Sequence, residues 1–256
     1  MTNNIFSVAG KIALVSGASS GLGEHMAEMY AANGVAVVCA ARRTDRLQSV
    51  VDRITAKGGK AMAVTMDVTD RASVKAGFDV AEQQFGTPDI VVCNAGATGV
   101  QPFLQMEEAV WDNVLDVNLK GVYNLGQEAA QRMVAADKPG SIINVSSICA
   151  VASFKGLTHY SASKAAVNQL TAVMGHELAE HNIRVNALAP GYMMTDMVSD
   201  YYATEAGQKD LANLPLKRAG ELHELDGVML LLASGASSYM SGSVITVDAA
   251  HSIRLG

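Results

Sequence analysis

Short apolar runs alternate with longer segments whose apolar residues recur at helical spacing, and the two kinds take turns along the whole chain. The runs are Lys11–Ser16, Val35–Ala40, Ala61–Met66, Ile90–Cys93, Ser141–Ser147, Ile183–Leu188 and Ser243–Val247. Between them lie predicted helices: Glu24 to Asn33, Arg42 to about Lys57, Asp70 as cap of a helix through Gln84, and Glu107 to about Ala136 with Trp111, Val114, Leu115 and Leu119 on one side. Two more run from the Tyr160 region to about His181 and from Glu221 to Ala233. Continuous apolar strands separated by helices predict an α/β protein with a doubly wound, mostly parallel seven-stranded sheet. No Pro/Gly/Ser-rich linker divides the chain, so residues 1–256 read as a single domain.

Composition narrows the class of partner. With 49% hydrophobic and 17% charged residues in 256, the chain can bury a sizeable core and is not disordered. A net charge of −6 gives no electrostatic footprint for nucleic acid or an anionic membrane. The longest apolar run, Val35–Ala41, is too short to span a bilayer, and neither a basic residue before Lys11 nor an apolar signal core supports export. Cys39, Cys93 and Cys149 are odd in number and set in apolar surroundings, which fits reduced thiols and a cytoplasmic location. Six scattered histidines and three separated cysteines leave no metal-ligand spacing, so no metal is expected.

Two stretches carry candidate chemistry. The first is Ser16-Gly17-Ala18-Ser19-Ser20-Gly21-Leu22-Gly23, a glycine turn between a strand and a helix, where backbone can approach a pyrophosphate on the helix N-terminus. In the second, Tyr160 and Lys164 share one helix face, which puts an ammonium beside a phenol and predicts a phenol pKa pulled down from about 10. Ser147, at a strand end, has a hydroxyl placed to bond a substrate oxygen.

Ser147, thirteen residues before Tyr160, with Lys164 four after it, resembles the active-site signature of the short-chain dehydrogenase/reductase family. The Gly-x-x-x-Gly-x-Gly turn is similar to that family's nucleotide-binding turn, and the likeness spans about residues 8–250. It implies a Rossmann fold and hydride transfer between a ketone or secondary alcohol and a nicotinamide. Tyr160 is then the acid/base, Ser147 steadies the substrate oxygen, and Lys164 holds the nicotinamide ribose and acidifies Tyr160. The resemblance aligns Asn118 with a fourth catalytic member that holds a relay water; the alternative is an exposed Asn tolerated in a helix.

The same resemblance extends the cofactor site to Asp67 and Val68, to the Asn94-Ala95-Gly96 turn, and to Pro190, Gly191, Met193 and Thr195 at the nicotinamide. Asp67 could instead cap a helix. Ala41 stands where members using NAD tend to carry Asp, and Arg42 and Arg43 follow it, so NADP(H) is expected over NAD(H). Ser20 occupies a position where many NADP-using relatives place a second basic residue. Asp248-Ala249-Ala250 replaces the family's Asp-Gly-Gly, and a differently arranged tail is expected.

The expected substrate pocket comprises Ser147, Cys149, His159, Tyr160 and Tyr192 beneath a lid at 193–217 rich in Met and Tyr. An apolar lining favours a hydrophobic carbonyl compound. A 3-oxoacyl-carrier-protein reductase and a polyol or sugar-alcohol dehydrogenase share these motifs. A non-catalytic dinucleotide sensor would not need all four catalytic positions, and epimerases and dehydratases on this fold are usually longer chains. Family members are commonly tetramers or dimers, so a homotetramer or homodimer built on helices 107–136 and 157–181 is expected.

Overall fold

Strands rich in Val, Ile and Ala without alternation require cover on both faces, and the computed structural model supplies it. It describes residues 4–253, excepting the side chains of Asp196 and Met197; the ends of the expected 1–256 domain and those two lid side chains lie outside the described residues. The strands are β1 (Ile12–Ser16), β2 (Ala36–Ala41), β3 (Lys60–Thr65), β4 (Ile90–Cys93), β5 (Gly140–Val145), β6 (Ile183–Pro190) and β7 (Val244–Val247). They form one sheet in the order β3-β2-β1-β4-β5-β6-β7. Every neighbouring pair is parallel, so the sheet is wholly parallel where mostly parallel was expected. Strand order reverses direction between β1 and β4, which opens a crevice at their carboxyl ends.

Helices α1 (Gly21–Ala32), α2 (Thr44–Ala56), α3 (Arg71–Gln84), α4 (Glu108–Leu115), α5 (Gly121–Ala135) and α6 (Thr158–Glu177) precede β6, while α7 (Asp196–Tyr202), α8 (Glu205–Ala212) and α9 (Asp226–Ala233) follow it. One face of the sheet is covered through Met26, Tyr30, Leu47, Ile54, Met229 and Leu232. The other is covered through Phe78, Val122, Leu125, Met133 and Val167. Each such side chain contributes about 1.5–3 kcal/mol by leaving water.

The helix expected across 107–136 is interrupted. Between α4 and α5 lies one π turn, Asp116–Lys120, in which the amide of Gly121 bonds back to the carbonyl of Asp116. Asn118 sits inside that turn and is fully buried, so the exposed-Asn alternative is wrong. A poor helix former marks the place where the helix widens, and such turns concentrate at functional sites.

At the other end of the chain, Ala249 (φ 52°) and Ala250 (φ 66°) both adopt the left-handed conformation. Alanine reaches it at a cost of about 1–2 kcal/mol per residue. The Asp248 carboxylate holds the turn by accepting from the amides of Ala250 (3.0 Å) and Ser252 (2.7 Å).

Candidate active site

The glycine turn joins β1 to α1 and is knotted to the turn after β4. Ser16 Oγ donates to the Val92 carbonyl (3.1 Å) and accepts from the amides of Asn94 (2.9 Å) and Ala95 (3.1 Å). Asn94 Nδ2 donates to the Ser16 carbonyl (2.9 Å). A Cβ on Gly17 would lie 2.8 Å from Asn94 Nδ2, and one on Gly23 would strike the Gly17 carbonyl. Glycine at both positions is therefore required by close approach. No side chain caps α1 at Ser20, so its first-turn amides are left to a ligand.

Arg43, the residue before α2, lies across this turn: its guanidinium donates to Ser19 Oγ and Ser20 Oγ, both at 2.9 Å. The neighbouring Arg42 is exposed and lies close enough to Asp67 to favour that carboxylate's ionised form. Asp67 is held below the usual carboxylate range chiefly by hydrogen bonds from Thr69 (amide 2.9 Å, hydroxyl 2.8 Å). It does not cap α3; Asp70 does, accepting from the Ala72 amide.

Ser147, Tyr160 and Lys164 come together where β5 ends. The strand stops at Val145, and Ser147 caps the short turn Ile148–Ala150 by accepting from the Cys149 amide (3.1 Å). It lies near enough to the Tyr160 phenol to favour that group's ionised form. Lys164 Nζ stands 5.6 Å from the Tyr160 ring centre and donates to the Val145 carbonyl (2.8 Å). Its side chain is only 3% exposed. Asn118 is clasped rather than free: Oδ1 accepts from the Ala97 amide (2.7 Å), and Nδ2 donates to the Ala97 carbonyl (2.9 Å) and Ser163 Oγ (3.1 Å). Ser163 in turn donates to the Tyr160 carbonyl (2.7 Å), a link that the sequence reading missed although Ser163 lies within its motif.

Two expectations about this cluster fail for one reason, which is burial. Tyr160 is pushed up to about 12 by desolvation, with Ser147 only partly opposing it, so the phenol is neutral at pH 7 rather than acidified. Burial likewise lowers Lys164 to about 8. His159, expected at the pocket, is wholly buried, with neither ring nitrogen bonded to a described partner. One residue before Tyr160 on a helix, it points about 100° away from it.

The cleft beyond this cluster is aromatic. A cleft of about 550 Å³ is lined by Phe154, Tyr192, Leu214, Asp210, Asn213 and His251, among others. Its one carboxylate, Asp210, accepts from the Tyr201 hydroxyl, and no lysine or arginine lines it among the described residues. Cys149 lies near enough to Tyr160 and Tyr192 to influence both, and burial pushes its own thiol up.

A model of the family described as short chain dehydrogenase matches residues 11–206. The chain belongs to that family. It is an oxidoreductase, and the family's solved members superpose on nearly its whole length. A short-chain type dehydrogenase/reductase from Mycobacterium marinum is 41% identical, with a TM-score of 0.91 over 96% of this chain and 97% of that one. A gluconate 5-dehydrogenase from Burkholderia cenocepacia, solved with NADP and tartrate, is 32% identical with a TM-score of 0.93 and 98% of both chains covered. A 3-oxoacyl-[acyl-carrier-protein] reductase from Thermotoga maritima is 38% identical over 239 residues, 93% of this chain and 96% of its own.

The residues present fit the family's dinucleotide. Gly21 (φ 57°) stands close to Thr195: an added Cβ would be in van der Waals contact with the threonine side chain, at 3.7 and 4.0 Å. The N-terminus of α1 and the segment after Pro190 and Gly191 therefore approach each other here. Met193 is bridged to Gly220, fixing that segment's far end.

Proposed function

We propose that this enzyme reduces an uncharged, hydrophobic ketone to a secondary alcohol with NADPH, and runs the reverse reaction with NADP. The observation that carries the reading is a neutral phenol, Tyr160, grouped with Ser147 and Lys164 and linked through nearby Cys149 to Tyr192, which lines an aromatic cleft with no lysine or arginine among its described residues. When bound, the nicotinamide supplies the hydride. Tyr160 gives its proton to the carbonyl oxygen as charge develops there, and Ser147 donates a hydrogen bond to the same oxygen. Lys164, fixed by the Val145 carbonyl, stabilises the phenolate that proton loss leaves behind. Asn118 and Ser163 hold the turn after Asn94-Ala95-Gly96 against α6, keeping the group in register.

For the cofactor, Ala41 leaves the end of β2 without a carboxylate, and Arg42 and Arg43 offer the 2′-phosphate two guanidiniums. Relatives solved with NADP support the same preference. Segment 193–217 serves as the lid: α7 and α8 bring Tyr201, Tyr202 and Leu214 over the cleft. A sugar acid, the substrate class of the gluconate dehydrogenase relatives, would meet the Asp210 carboxylate and no lysine or arginine in this wall. Partly exposed Tyr123 and Val134 on α5 and Val173 on α6 mark the faces through which two or four copies would assemble.

A panel of hydrophobic ketones, a 5-keto sugar acid and a sugar phosphate, each assayed with NADPH and NADH by nicotinamide absorbance, tests the reading. Hydrophobic ketones with NADPH should give the highest specificity constants. A higher constant for the keto acid or the phosphate overturns it.

A further inference from the structure

The chain's last described turn belongs to the cleft. His251 lies edge-on to Tyr192 (centroids 4.9 Å apart, planes at 71°) and to Phe154 (5.8 Å, 69°), while Phe154 and Tyr192 lie 6.0 Å apart. Three segments far apart in sequence thus bring one ring each to a single corner: the loop after Ser147, the turn after β6, and the tail after β7. Tyr192 extends the set to Tyr202 (6.4 Å) at the end of α7. His251 and Tyr192 also line a smaller pocket of about 80 Å³ with Val247 and Asp248.

The backbone that puts His251 there is strained and anchored. Two successive left-handed alanines precede it, its amide bonds the Asp248 carbonyl (3.0 Å), and the Asp248 side chain ties down Ala250 and Ser252. Gly191 closes the anchor from the other side, since a Cβ there would sit 2.7 Å from that of Asp248. The His251 Nδ1 is buried without a described partner, and among the described residues the imidazole is placed by ring contacts and by its anchored backbone. Strain that persists next to a ligand cleft needs a compensating use. Ring placement is the use these contacts show.

We propose that His251 is a specificity-determining residue. With Phe154 and Tyr192 it forms an aromatic clamp that selects substrates carrying a ring next to the reacting carbonyl, aryl ketones and their alcohols, over linear ketones of equal size. A substrate ring packed against the cleft wall that these three touching rings form gains quadrupole contacts that a flexible alkyl chain does not match, and it loses fewer rotamers on binding. The proposal rests on the function proposed above and names its substrate class.

Acetophenone and 2-octanone, methyl ketones of equal carbon number, are the probes. The wild-type holoenzyme should prefer acetophenone in kcat/KM. His251→Ala should lower the acetophenone to 2-octanone ratio by about three- to tenfold, mainly through KM, and His251→Phe should restore most of it. Ala249→Gly with Ala250→Gly, which frees the turn without altering a ring, should lower the ratio in the same direction. Calorimetric titration of 1-phenylethanol into the enzyme–NADPH complex, a pair that cannot react, should show a matching loss of affinity in His251→Ala, independent of turnover. An unchanged ratio in His251→Ala, or equal losses for both ketones with no rescue by Phe, overturns the clamp while leaving the ketone reading intact. No turnover of either ketone by the wild type, with turnover of a keto acid, overturns both.

Discussion

Replacing Lys164 with Met should abolish function and stabilise the protein at neutral pH. The ammonium is almost wholly desolvated; among the described residues it donates to the Val145 carbonyl and pairs with no carboxylate. Its pKa falls from 10.5 to about 8, which corresponds to about 3 kcal/mol of destabilisation while the amine is charged. The sign follows from proton counts. Below about pH 8 both states hold the proton and the full cost is present; between about 8 and 10.5 the unfolded chain keeps a proton that the folded protein has released, so stability rises with pH. Methionine has a similar straight chain and no charge. Against its gain stands the Val145 carbonyl, left without this donor at about 1–2 kcal/mol. The net gain at pH 7 is about 1–2 kcal/mol, or about 2–8 °C in Tm for a chain of this size. Thermal melts of wild type and Lys164→Met without added cofactor, at intervals from pH 6.5 to 10.5, measure it. The gap should be largest at low pH and close as the wild type sheds its proton. A wild type more stable at pH 7, or a gap independent of pH, refutes the argument that burial rather than pairing governs Lys164.

Four further outcomes follow from the same contacts. Tyr160→Phe should bind cofactor normally and lose at least about a hundredfold in turnover, because no other proton donor is placed at the reacting oxygen; near-normal turnover by stopped-flow ends the mechanism. Ala41→Asp with Arg42→Ala and Arg43→Ala should reverse the cofactor preference, since each charge-assisted contact contributes about 1.5–3 kcal/mol, about ten- to a hundredfold in Kd; unchanged NADPH affinity by fluorescence titration refutes it. Ala249→Gly with Ala250→Gly should raise stability by about 1 kcal/mol in urea melts, the relief of two left-handed alanines less the entropy that glycine gives the unfolded chain. Light scattering at micromolar protein should return a dimer or tetramer mass, and a monomer mass would count against assembly through α5 and α6.

The central strands were legible because they are buried on both faces, which leaves runs such as Ile90–Cys93 with no polar interruption. The glycine turn was legible because close approach admits one residue type, and a spacing of glycines is visible in a sequence. What stayed hidden depends on direction and depth. Nothing in Arg42-Arg43 says which side chain turns back over Ser19 and Ser20, because adjacent residues at a strand end point opposite ways. Nothing in Tyr160-x-x-x-Lys164 says how deeply the pair is buried, and desolvation rather than mutual charge decides both pKa values. Phe154, Tyr192 and His251 are separated by long stretches of chain, so no local pattern announces their meeting.

Close backbone contact, more than side-chain bonding, is what makes this site rigid enough for hydride transfer. Gly17 lets the Ala95 backbone press onto the first turn, Gly23 lets the Gly17 carbonyl press onto α1, and Gly191 lets the Asp248 backbone press onto the turn after β6. Contacts of this kind leave no rotamer to adjust, so they hold the carboxyl ends of β1, β4, β6 and β7 at fixed separations. The side chains proposed to do the chemistry are then placed by strand ends and one helix: Ser147 two residues past β5, and Tyr160 and Lys164 on α6, which the π turn of Asn118 grips through Ser163. A displacement of about 1 Å in such a group costs on the order of a hundredfold in rate. Gly191→Ala should therefore cost activity out of proportion to the size of a methyl group, because it separates the nicotinamide side of the site from the turn that carries His251.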